Sequence, residues 1–228
     1  MTRQDYGNVF MKKDGKWSGL KSEEVAASPP ADRKTPTSCG PIDHAFMSKF
    51  IFVRPTGKPL NPAVGAWVDA EFKHATEAWR KVYRGDAPVK DDTAITADDI
   101  KNSNLVLWGD SSSNAVLRSM STLSVRPNGH SHDPLGLPIQ WGSVLEFHGV
   151  KYDAATHVPA LIFPNPLNPS KYVVLNSGPT FREEALLNNS DQTPKLPDWA
   201  IIDIHTPPDA KWPGLVVDAG FFDEQWNP

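Results

Sequence analysis

Two polar stretches carry residue types able to do chemistry at the ends of apolar runs. "GDSSSN" (109 to 114) follows "NLVLW" and offers Asp110, Ser111, Ser112, Ser113 and Asn114; "NSGPTFRE" (176 to 183) follows "YVVL" and offers Asn176, Ser177, Thr180 and Arg182. In an open α/β sheet the loops at the carboxyl ends of the strands form the functional rim, so these residues are expected to share one ligand-binding edge. Serine hydroxyls and backbone amides at a helix start favour an anion such as phosphate or carboxylate. The plainer role of the same residue types is to cap helices and close turns.

Ser111 as a nucleophile needs a base within hydrogen-bond reach and a group that orients the base. His205 in "IIDIHTPPD" is the best available base, with Asp203 or Asp209 as the orienting carboxylate. Hydrolases of the Gly-Asp-Ser type carry that block near the start of the domain and an Asp-x-x-His near its end. Here the block lies midway and no late Asp-x-x-His occurs, so the expectation is a turn serine at a ligand rim.

The stretch "NGHSHDPLG" (128 to 136) holds two further candidates. Gly129-His130-Ser131-His132-Asp133 lacks the closing glycine of a Gly-x-Ser-x-Gly elbow, and "STLSVRPN" before it is not the apolar strand that an elbow terminates. His130, His132 and Asp133 are weak candidates for a metal, because alternating side chains on an extended segment point the same way. With no third or fourth ligand named by the sequence, no metal is expected and a solvated Gly/Pro loop is the reading. His44, His74, His148 and His157 are isolated and read as ordinary surface or core histidines. The tryptophans could line a sugar or aromatic-ligand cleft, but Trp79, Trp108 and Trp199 fall in helix or strand patterns and read as core.

The elements that must position these residues follow from periodicity and breakers. "NVFMKKDGKWS" (8 to 18) sets two short strand-like runs around Asp14-Gly15, a β-hairpin signal. The polar, Pro-rich stretch up to Gly40 reads as a linker, giving a boundary between residues 1–40 and an α/β domain at 41–228. "SKFIFVRPTGK" gives a strand. Asn61 and Pro62 then open a helix that runs to Arg84 and is closed by Gly85, with Val68, Phe72, Ala75, Trp79 and Val82 as one apolar stripe. "TADDIKNS" starts a short helix at Thr96, with Asp99 three residues on, before strand "NLVLWG". "GSVLEFHGVKYD" reads as a hairpin about Gly149. "ALIFPNP", "YVVLNSG", "WAIIDI" and "GLVVDAGFF" are continuous apolar runs that suit strands covered on both faces. With "FREEALLNNS" as a connecting helix, the expected architecture is α/β: a three-layer, Rossmann-like or flavodoxin-like, mostly parallel sheet with an N-terminal β-hairpin appendage.

Length and composition bound the rest. The 228 residues suit one main α/β domain with an appendage. The 22 prolines, spread along the chain, imply stiff loops. With 23 Lys+Arg against 27 Asp+Glu and no basic cluster interleaved with aromatics, a nucleic-acid or membrane-surface partner has little support. A small molecule or another protein is the expected partner, and no cofactor is implied. Cys39 is the only cysteine, which excludes an intrachain disulfide and a cysteine-based zinc site. The residues given contain neither a signal-peptide h-region nor an apolar run of about 18 residues.

Several phrases together, "GPIDHAFMSKFIFVRPTGKP", "AEFKHATEAWRKVYRGD", "NLVLWGDSSSN", "HVPALIFPNPLNPSKYVVLNSG", "KLPDWAIIDI" and "GFFDEQW", resemble the C-terminal region of long, mostly exported bacterial prolyl-oligopeptidase-like or esterase-like α/β-hydrolase proteins. In such proteins the Gly-x-Ser-x-Gly nucleophile and its triad sit in a preceding hydrolase domain, and this chain has no Gly-x-Ser-x-Gly. The resemblance therefore implies a secreted or periplasmic, non-catalytic accessory domain that packs on a hydrolase domain or binds a ligand for it, and it carries over no catalytic residue. The alternative is a small stand-alone hydrolase of esters or glycosides using loops 109–114 and 176–183 with His205.

Overall fold

A computed structural model of the chain describes residues 10–19, 33–121 and 136–228. Strands β1 (Phe10–Lys13) and β2 (Lys16–Gly19) form an antiparallel hairpin about Asp14 and Gly15, whose φ angles of 50° and 79° are those of the tight turn that twisted strands require. The body contains β3 (Phe50–Arg54), helix α1 (Pro62–Tyr83), β4 (Val89–Asp91), helix α2 (Ala97–Asn102), β5 (Asn104–Leu107) and helix α3 (Ala115–Ser121). It continues with β6 (Ile139–Trp141), β7 (Val144–Phe147), β8 (Val150–Asp153), β9 (His157–Asn165), β10 (Asn168–Leu175), β11 (Trp199–Asp203) and β12 (Leu215–Gly220).

A seven-stranded sheet runs in the order β12-β11-β9-β10-β5-β3-β4, and a separate three-stranded antiparallel sheet has the order β6-β7-β8. This overturns the expectation of a mostly parallel Rossmann-like or flavodoxin-like sheet. Only the pairings β10/β5, β5/β3 and β3/β4 are parallel, while β10/β9, β9/β11 and β11/β12 are antiparallel. The reason is local. β9 and β10 are joined by just Pro166 and Leu167, with Leu167 N donating to Asn165 Oδ1 at 2.9 Å, and so short a connection can only make a hairpin. Continuous apolar runs announce burial on both faces and carry no information on strand direction. "FREEALLNNS" supplies two 3₁₀ turns, at Glu183–Leu187 and Asn189–Asp191, in place of a crossover helix.

Helix α1 covers one face of the sheet. Its start is set by Asn61, whose Oδ1 accepts from Ala63 N at 2.9 Å, and by Pro62 in the first turn. It ends at Arg84, which takes the left-handed cap conformation at φ 61°, one residue before the glycine expected to close it. The expected stripe packs on the sheet: Phe72 meets Phe52 and Trp108 edge-on, and the Trp79 ring lies 4.7 Å from that of Phe50. Ile202 lines the cleft under α1, so by alternation Trp199 and Ile201 face the opposite side. There the small sheet packs, with Phe147 4.7 Å from Trp199 and Tyr152 Oη donating to Asp218 at 2.8 Å.

The segment before Gly40 is fastened to this body where it is described. Lys34 Nζ donates to the fully buried Asp198 at 2.5 Å and to the Phe222 carbonyl at 2.7 Å, and lies 5.0 Å above the Trp226 ring. Lys34 and the stretch at Phe222 are thereby pinned to one buried carboxylate.

Candidate functional site

The carboxyl ends of β3, β4, β5 and β10 lie along one edge of the sheet, as the sequence requires for a shared rim. The chain moves outward from β3 through α1 to β4 and then returns past β3 to β5, so the topological switch falls between β3 and β5. In open sheets that crevice is the usual ligand site. Here it is sealed. Gly57 N donates to the Ser113 carbonyl at 2.8 Å, Leu60 N donates to Asp110 Oδ2 at 2.8 Å, and a Cβ on Gly57 would lie 2.8 Å from the Ser112 carbonyl oxygen.

The side chains of Asp110, Ser113 and Asn114 spend their polar atoms within this stretch and on its closure. Asp110 Oδ1 accepts from Ser112 N and Ser113 N, and Ser113 Oγ accepts from Asp110 N, a self-contained turn. Asn114 caps α3 by accepting from Val116 N and Leu117 N, while its Nδ2 donates to the Trp108 carbonyl. Gly109, at φ 91°, requires the left-handed region, and a Cβ there would sit 2.4 Å from Ser113 Oγ. Asn176 ties the second loop to the first, accepting from Gly109 N at 2.8 Å. Ser111 is half-buried, and its carbonyl accepts from Arg118 Nε.

His205 does not join them. β11 is separated from β5 by β9 and β10, three strand spacings or roughly 14 Å. Among the described residues the exposed imidazole hydrogen-bonds its neighbour Asp203, with Nδ1 2.9 Å from Oδ1. The backbone N–H of His205, more than the ring, holds the Asp203 carboxyl below its ordinary value, as in a local turn. Asp209 likewise accepts from Lys211 N and Trp212 N in a turn of its own. His130, His132 and Asp133 lie outside the described residues, and among those described no group of three metal-ligating side chains occurs.

The open site is elsewhere, between α1 and the segment after β10. This cleft of ≈ 240 Å³ takes Ala75, Ala78, Trp79 and Tyr83 from the helix, Ser177 to Glu183 and Leu186 from the loop, and Trp108, Leu196 and Ile202 from the body. Asn176, Ser177, Thr180 and Arg182 of the expected rim line it, and Asp110 to Asn114 do not. Gly178 sets the wall: a Cβ there would stand 2.7 Å from that of Ala75, so helix and loop approach as closely as backbone permits.

The buried charges of the cleft are already matched. Arg182 donates through both terminal nitrogens to Glu71, at 2.6 and 3.2 Å, with both side chains 8% exposed, and through Nε to the Asp209 carbonyl. The guanidinium is therefore committed and does not serve as the free anion receptor that its place in the sequence suggests. Thr180 is held by Asp43, whose carboxyl is raised by burial and lowered again by the Thr180 bonds. His74 Nε2 lies 2.8 Å from Glu183 Oε1, and burial, with the Asp43 charge adding, raises the Tyr83 phenol.

Glu71, His74 and Trp108 are the site residues that sequence reading passed over. A signal for the first was present, since Glu71 falls between Val68 and Ala75 on the apolar face of the helix, where a carboxylate requires a partner. His74 carried no such mark, because its partner Glu183 lies 109 residues away. No family model, curated protein or solved structure matches the chain.

Proposed function

We propose that this chain is a non-catalytic accessory domain that packs on, or binds ligand for, a hydrolase domain of a larger secreted protein. The observation that carries the reading is the commitment of the strand-end polar groups. Asp110, Ser113, Asn114 and Asn176 are buried and hydrogen-bonded to backbone, and Ser111 has no histidine beside it among the described residues. The edge that would carry catalysis in such a sheet is built as a turn and a helix cap. The resemblance of "HVPALIFPNPLNPSKYVVLNSG" and its companion phrases to regions that follow a hydrolase domain supports the partner, and the cleft beside α1 supports the ligand.

One observation favours the stand-alone hydrolase as a second reading: Ser177, His74 and Glu183 line the same cleft, with the carboxylate on the histidine. Against it, Ser177 Oγ donates to the Gly178 carbonyl at 2.9 Å and makes no hydrogen bond with His74. Assays of the purified chain against p-nitrophenyl esters and glycosides, with Ser111→Ala and Ser177→Ala alongside, separate the two. The accessory reading expects background rates from all three proteins. Turnover abolished by either substitution in a folded protein would establish the hydrolase instead.

A further inference from the structure

One charge in the lining of the cleft is left over. His74 and Lys81, seven residues apart on α1, leave the helix within about 20° of each other and about 10 Å apart along its axis, with Ala78 between them. His74 reaches across to Glu183 on the facing segment, so Lys81, which also lines the cleft, stands on the side of α1 that faces it. The carboxylates of the lining each have a basic group beside them: Glu71 has Arg182, Glu183 has His74, and Glu77 lies 3.8 Å from Lys73. Asp43, off the lining, is held by the N–H and hydroxyl of Thr180. Lys81 is exposed and has no carboxylate partner among the described residues. Much of the remaining lining is apolar, from Ala75, Ala78, Val82, Leu186 and Leu196.

From this arrangement we infer that the cleft binds a small amphiphilic monocarboxylate, its apolar body laid against Ala75, Ala78, Leu186 and Leu196 and its carboxylate received by Lys81 Nζ. Size supports the class. A dry apolar cavity of about 150 Å³ accommodates one benzene ring, so ≈ 240 Å³ admits a ring with a short arm. Charge selects the anion. A lysine carries its ammonium into water on an apolar stem, so the two charges meet at the mouth of the cleft and escape the desolvation penalty of a buried pair. A neutral body of the same shape gains nothing from Lys81, and a cation meets it as a like charge.

The inference rests on the reading of this chain as a ligand-binding domain and is tested apart from it, because the readout is binding and not turnover. The ¹⁵N-labelled, backbone-assigned protein is titrated with hydrocinnamate, with its neutral amide hydrocinnamamide, and with the cation phenylpropylamine. Hydrocinnamate is expected to shift the amides of Ala78 and Gly178 and to saturate, binding about fivefold more tightly than the amide at low ionic strength, the upper worth of an exposed ion pair. The amine is expected to bind most weakly. At about 1 M salt, where the Debye length is about 3 Å, the preference for the anion should shrink. Lys81→Met, which exchanges one long helix-forming side chain for another, should reduce hydrocinnamate to the affinity of the amide and leave the amide unchanged, while Lys81→Arg should keep the preference. Equal affinity for hydrocinnamate and its amide in the wild type would overturn the proposal, as would tighter binding of the amine, a preference that survives in Lys81→Met, or cleft amides that no probe moves. None of these results would alter the absence of turnover on which the accessory reading stands.

Discussion

Arg182 and Glu71 show how a side chain suited to receiving a ligand is turned to architecture by a partner 111 residues away. A carboxylate and a guanidinium at 8% exposure are stable together because each satisfies the other's charge and most of its hydrogen bonds, and removing one strands the other. Arg182→Met is therefore expected to cost about 3–5 kcal/mol in denaturant titration, and the double variant Glu71→Leu with Arg182→Met much less. Asp198 makes the second such test. Burial raises its carboxyl while Lys34 lowers it again, so Lys34→Ala leaves burial opposed only by the Phe222 N–H bond. An unpaired buried carboxylate is tolerated once protonated. The loss in Lys34→Ala, about 3 kcal/mol at pH 8, is thus expected to shrink as pH falls toward 5, a trend that stability curves at several pH values would reveal or refute.

At the scale of elements, helix starts were the most legible part of the chain because their signals are local. Asn61-Pro62 and the Thr96/Asp99 capping box both form, the latter with Asp99 Oδ2 accepting from Thr96 N at 2.9 Å. Asp99 also receives Lys90 Nζ at 2.7 and 2.8 Å, and chiefly this bond lowers its carboxyl to about 2. A carboxyl whose folded value lies below its unfolded one stabilises the protein above the unfolded value, and that stability is lost as pH falls through the folded one. Asp99→Asn should accordingly cost about 1 kcal/mol at pH 7, and the gap to wild type should close between about pH 4 and pH 2. Thermal melts of the two proteins across that range measure it, and a gap independent of pH would refute the assignment. Strand existence was equally legible, since "FIFV", "NLVL", "ALIF", "YVVL" and "WAIID" all enter one sheet. Strand direction was not. It is decided by the two-residue connection after Asn165, and by where β11 pairs, which no periodicity encodes. The ligand rim was legible only in its second half. "NSGPTFR" lines the cleft, whereas "GDSSSN" was drawn into the seal over the switch point by Gly57 and Leu60, about 50 residues upstream.

Among the described residues the body is a mixed sheet with a helix over one face and a small antiparallel sheet over the other, with Lys34 and Phe222 meeting at Asp198. The switch-point crevice between β3 and β5 is closed, and a cleft lined by the second loop lies where α1 meets Gly178. A serine-hydrolase mechanism at this cleft requires a serine activated by a base, and its serine, Ser177, is bonded to the backbone carbonyl of Gly178. The proposed accessory role, set against the serine-hydrolase reading, is thus tested by the reactivity of Ser111 and Ser177. Incubating the folded chain with a fluorophosphonate probe, which phosphonylates activated serines, and mapping adducts by peptide mass spectrometry measures that reactivity directly. The expected result is no more adduct on Ser111 or Ser177 than in heat-unfolded protein. Stoichiometric, fold-dependent labelling of either serine would contradict it and make the protein a hydrolase.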